Sequence, residues 1–187
     1  MSGRGARASG RLAVALALAT GLASAGGGPL QAVPDAVRDW RDGRQTRAVA
    51  SARAEVQRWV DGNDVAPAEL ERALAAVDRV FDEDLPIVVP GEVGMASPGE
   101  SVDIDRQMSA DLLSNRATAV LRALHSAAAL GLTQRGPEIL AVIFRREPVK
   151  PDGGLLADAP PALRSLATKR LALRALEALA TPKRPVL

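Results

Sequence analysis

Cysteine and tyrosine are absent from these 187 residues, histidine occurs once, and the aromatic set stops at two tryptophans and two phenylalanines. Each scarcity removes a class of function. Without cysteine there is no disulfide, no thiol nucleophile and no thiolate metal site, so stability has to come from packing. With His125 alone, multi-histidine metal sites are excluded. A serine–histidine–aspartate triad would need a serine brought to that one imidazole, and the neighbouring Ser126 points away from it along a helix. His125 is therefore read as packing along a helix. Platforms that carry sugar rings have only Trp40, Trp59, Phe81 and Phe144 to draw on, all of them on inward stripes.

Motifs for phosphate and calcium are missing as well. Gly26-Gly27-Gly28 does not follow a strand and so is no phosphate loop. Asp61-Gly62-Asn63-Asp64 lacks the ligand spacing and the distant glutamate of a calcium loop, and reads as a turn between helices.

The N-terminus carries the clearest positive signal. Arg4, Arg7 and Arg11 precede an acid-free apolar run, Leu12 to Leu22, which is followed by Ala23-Ser24-Ala25 and three glycines. That is the layout of a signal peptide. The run has eleven residues, whereas a bilayer span needs about 20. Cleavage after Ala25 is expected, giving residues 1–25 as leader, 26–180 as a helical domain and 181–187 as a flexible tail. Arginine outnumbers lysine twenty-one to three, read as the bias of a GC-rich bacterial genome. The expected location is then periplasmic or extracellular.

Loss of the leader takes three arginines with it, so the formal charge of +2 falls to −1 and offers no argument for a nucleic-acid partner. The mature chain is polarised along its length: residues 26–115 hold nine basic and seventeen acidic side chains, residues 116–187 twelve and five.

Helical period runs through the mature chain, and the expectation is a mainly all-α, single-domain bundle of about four to five helices with one long Pro/Gly-rich extended connection. Pro34 opens the first segment, with Val37, Trp40, Ala48, Ala52, Val56, Trp59 and Val60 as a stripe interrupted at Asp42-Gly43. Gly62 stops it, and Pro67 opens a second helix that buries Leu70, Leu74, Val77 and Phe81. The two segments are expected to form an antiparallel hairpin. Leu85-Pro86-Ile87-Val88-Val89-Pro90-Gly91 cannot be helical, because each proline biases the residue before it toward extended backbone. A third, central helix is expected from about Asp103 to Leu132, with Ile104, Met108, Leu112, Leu113, Val120, Leu121, Leu124 and Ala128 facing inward. Residues 138–146 suit a short buried helix or a strand equally. A last helix spans Pro161 to about Ala180, with Leu163, Leu166, Leu173, Leu176 and Leu179 as its apolar face.

One cluster stands out as a candidate binding site: Asp82, Glu83, Asp84, Glu92, Glu100, Asp103 and Asp105, seven acids with no base between Arg79 and Arg106. Asp103 and Asp105 suit the first turn of a helix, but Asp82, Glu83 and Asp84 sit against the negative end of a helix dipole and call for compensation. Three readings stand: a solvated acidic face, pairing with the chain's own Arg145, Arg146, Lys150, Lys169, Arg170 or Arg174, or an external cation or basic partner. Function is expected to be that of an exported binding, adaptor or assembly protein with no catalytic residues and no cofactor. Its partner would be a protein of the cell envelope, basic if the acidic segment is the contact, with calcium the weaker alternative. Two other classes compete: a carboxylate-based cell-envelope hydrolase, and a peripheral membrane protein using the last helix, where Arg164, Lys169, Arg170 and Arg174 surround the leucines.

Overall fold

Pro67 and Pro161 each open a helix, where a missing N–H costs nothing. The computed structural model describes residues 32–83 and 100–181, and the side chains of 35–81 and 106–181. Among the described residues there are seven α-helices and no strand: α1 (Ala32–Arg41), α2 (Gln45–Gly62), α3 (Pro67–Glu83), α4 (Glu100–Leu113), α5 (Ala117–Leu130), α6 (Gly136–Phe144) and α7 (Pro161–Ala180). A 3₁₀ turn, Thr133–Arg135, leads into α6. This is an all-α, single-domain fold. Residues 1–31, 84–99 and 182–187, with the expected leader, extended connection and tail, lie outside the described residues.

The break expected at Asp42-Gly43 is present. Gly43 turns the chain with φ +77°, and Arg44 clamps the corner by donating to Asp39 at 2.6 Å and to Asp42 at 2.7 Å. The stripe then behaves as periodicity predicts, with Trp40, Ala48, Ala52 and Val56 buried. On α3, Leu70, Leu74, Val77 and Phe81 are all buried. Of residues 138–146, which suit a helix or a strand equally, 138–144 are helical and belong to α6, with Pro137 in its first turn.

Three expectations fail on tertiary grounds. First, α2 and α3 do not lie along one another as a hairpin; α2 packs on α1 and α7, and α3 mainly on α7. The central element is thus α7, which also contacts α5 and α6. It is buried nearly all round, Arg164 and Lys169 included, instead of showing one apolar face.

Second, the expected helix from Asp103 to Leu132 is two helices, α4 and α5, separated at residues 114–116. The separation is imposed by groups distant in sequence. The Arg145 guanidinium takes the carbonyls of Ser114 (2.5 Å) and Leu113 (3.2 Å), capping α4. Lys150 pairs its backbone with the same corner: Ala117 donates to its carbonyl and its own N–H donates to Asn115. Asp152 then caps α5, accepting from the Thr118 hydroxyl at 2.7 Å and the Thr118 N–H at 3.3 Å. Each of these satisfies a backbone or side-chain group that a helix end leaves open. At the far end α5 closes on Gly131 in the left-handed conformation, its N–H directed to Ala127 and Ala128.

Third, Leu113, expected in the core, is 44% exposed, while Leu112, Val120, Leu121 and Leu124 are buried as expected. Ending α4 at Leu113 removes the next turn that would have covered it.

Candidate functional site

The seven acids are only partly placed. Asp82 and Glu83 close α3, and Glu100, Asp103 and Asp105 fall in the first two turns of α4, where a carboxylate favours the helix dipole. Their side chains, and all of Asp84 and Glu92, lie outside the described residues. Among the described residues no group of histidine, cysteine, aspartate or glutamate could hold a metal ion. Of the six bases considered as internal partners, three are engaged elsewhere: Arg145 on α4 carbonyls, Arg174 with Asp78 at 3.1 Å, and Lys169 in the interior.

Lys169 is the most unusual side chain of the interior. It is 2% exposed, its ammonium donates to the carbonyls of Ile143 and Arg145 at the end of α6, and it lies 4.4 Å from the centre of the Trp59 ring. Those carbonyls carry the negative end of the α6 dipole, and the ring face adds a cation–π contact. Burial nonetheless pushes its pKa down to about 8, with Glu55 opposing and Arg145 reinforcing the shift. Arg164 does comparable work on the loop before α7. Its Nε donates to Val149 at 2.8 Å and its Nη1 to Ala159 at 3.0 Å, with Leu156 and Ala157 at 3.3 and 3.4 Å. Leu156 is there held at φ +60°, rare for a non-glycine residue. These roles are structural, since both heads are consumed by backbone carbonyls.

His125 stacks on Phe81, with ring centroids 4.7 Å apart and planes 8° from parallel. That arrangement matches the packing role read from sequence.

Among the described residues a concave surface lies between α1, α4 and α6, an open groove of about 810 Å³. Val37, Pro137, Ala141 and the exposed Leu113 supply its apolar walls, with the edge of Trp40 between them. Trp40 is fixed there because its indole N–H donates to Thr133 at 2.9 Å. Polar groups on the rim are Arg41, Gln45, Gln134 and Glu138. Glu138 accepts from Arg135 at 3.1 Å and Ser109 at 3.3 Å. Arg41 has no ion-pair partner among the described residues. Sequence reasoning missed this groove because it assigned Leu113 to a continuous helix; the one signal available was Ser114-Asn115, two turn-favouring residues directly after it.

Fold and groove together define an all-α protein with an open, apolar-walled surface cleft. No protein-family model, no curated protein and no solved structure matches the chain.

Proposed function

We propose that the chain is an exported helical binding or adaptor protein that engages a protein partner of the cell envelope through the groove between α1, α4 and α6. The observation that carries this reading is Leu113. It is the one large apolar side chain exposed among the described residues, and it stands in the concave surface beside Val37, Pro137 and Ala141. Exposed apolar surface that is contiguous and concave marks contact sites, whereas scattered apolar residues do not.

Two further observations support binding over the alternatives. Among the described residues Glu138 is the single carboxylate lining the groove, and it is already bonded to Arg135 and Ser109, whereas glycoside hydrolysis through carboxylates uses a pair. The last helix, which a membrane-surface protein would lay on lipid, has its leucines and two of its four bases inside the fold.

A photo-reactive phenylalanine analogue at position 113, with the same group at exposed Gln57 as control, tests the proposal in exporting cells. The expected result is a discrete cross-linked species from position 113 that disappears when Ala141→Arg is added. Equal, diffuse labelling from both positions would overturn it.

A further inference from the structure

Among the described residues, cations without an ion pair stand on two sides of the groove. On the α1 side Arg41 projects at the rim with no acid pairing it among the described residues. Beyond Leu113, on the α4 side, the corner is basic as well. The backbone bridge between Arg116 and Lys150 sets these two exposed cations side by side, a like-charge juxtaposition that destabilises unless something answers it. The Arg145 guanidinium lies at the same corner, donating to the carbonyls of Leu113 and Ser114. The acids nearby are Asp152, which accepts from Thr118, and Asp111, which accepts from Gln107 at 2.8 Å; neither forms an ion pair among the described residues. Glu147 is the acid whose charge reaches Arg145. Neither Arg116 nor Lys150 has an ion pair among the described residues.

We infer that the groove receives an acidic, apolar-faced segment of another protein, its apolar side chains against Leu113 and its carboxylates toward Arg41 on one side and the Arg116–Lys150 corner on the other. The inference rests on the reading of the groove as a binding site and adds the chemistry of the occupant. An apolar floor rimmed by cations suits an amphipathic segment laid along it, with apolar anchors giving affinity and rim charges giving orientation and speed of encounter. A small ligand is disfavoured, because the cleft is open along its length and such ligands are held where most of their surface, about 70–90%, is covered.

The test uses the full mature chain and two fluorescent peptides of about four helical turns. Both carry leucines at helical i, i+3, i+4, i+7 spacing; one flanks them with glutamates, its twin with lysines. Anisotropy should show the acidic peptide binding about tenfold more tightly than the twin, with the preference shrinking as salt is raised. Leu113→Glu should abolish binding of the acidic peptide. The double variant Arg41→Glu, Lys150→Glu, which changes only exposed side chains, should reverse the preference. Equal binding of the twins, lost in Leu113→Glu, would overturn the acidic occupant and leave the groove as a binding site. Binding of neither peptide, or binding indifferent to Leu113→Glu, would overturn both. A photo-cross-link from position 113 into the same chain's residues 84–99, or into a second copy, would also overturn a foreign segment as the occupant.

Discussion

The indole of Trp40 occupies the space in which a Cβ at Gly136 would stand, so that α1 and α6 touch ring to backbone at the floor of the groove. Glycine in a helix interior ordinarily costs about 1 kcal/mol relative to alanine. Here the opposite sign is expected, since Gly136→Ala must displace a ring that is also tied to Thr133 by a hydrogen bond. Overpacking of this kind costs about 1–3 kcal/mol. Chemical denaturation of Gly136→Ala should show a net loss, and tryptophan emission should shift; adding Trp40→Leu to the variant should recover part of the stability.

Lys169 makes stability depend on pH in an uncommon direction. Its native pKa of about 8 lies below its ordinary 10.5. Below pH 8 both native and unfolded chains carry the proton, and the cost of burying the charge is present in full. Between pH 8 and 10.5 the unfolded chain holds a proton that the native chain has shed, so stability rises with pH across that window. The gain is at most about 3 kcal/mol. The background is quiet, because the chain has no tyrosine or cysteine and only two other lysines, Lys150 and Lys183. Unfolding free energies from pH 7 to 10.5 should climb for the parent and stay flat for Lys169→Met; a parent curve that falls would contradict the assignment.

Leu124 and Leu113 should separate cleanly on truncation. Leu124 is 2% exposed within the core, and Leu124→Ala is expected to cost about 2–5 kcal/mol. Leu113→Ala, at an exposed position, should cost less than about 1 kcal/mol. Comparable losses at the two positions, measured by urea titration, would mean that Leu113 is covered in solution.

Processing is expected after Ala25, leaving Gly26 as the first residue of the exported protein. N-terminal sequencing of material from the medium or periplasm checks this. A dominant product still carrying Leu12 to Leu22 would contradict export by cleavage.

Periodicity was sufficient wherever a helix end is set by its own residues. Pro67, Pro161 and the Asp42-Gly43 break carry their own start and stop chemistry, and the four positions expected in the core from α3, Leu70, Leu74, Val77 and Phe81, are buried. It failed where an end is set from afar. Nothing within residues 103–132 announces that Arg145, Lys150 and Asp152 will intercept the backbone at 114–118, so one helix was read where there are two. Leu113 was misplaced for the same reason, and with it the groove. Pattern also sorted Arg164 and Lys169 with surface charges, because hydropathy takes no account of the carbonyls that receive them. None of the seven acids selected from sequence is among the described residues that line the groove; only the helical backbone positions of five of them are placed.

The cations that hold backbone carbonyls have an evolutionary corollary. A guanidinium or ammonium bonded to main-chain oxygen is indifferent to which side chain the oxygen's residue bears. Substitution is therefore less constrained at Ser114, Ala157 and Ala159, whose carbonyls are held whatever side chain they bear, while Arg145, Arg164 and Lys169 remain fixed. In a lineage of diverging sequences these three positions would stand as isolated constants inside variable stretches, with no variable partner to covary with. Searches that weigh local similarity or paired change would pass over them, although they tie together the parts of this cysteine-free chain that disulfides tie in others.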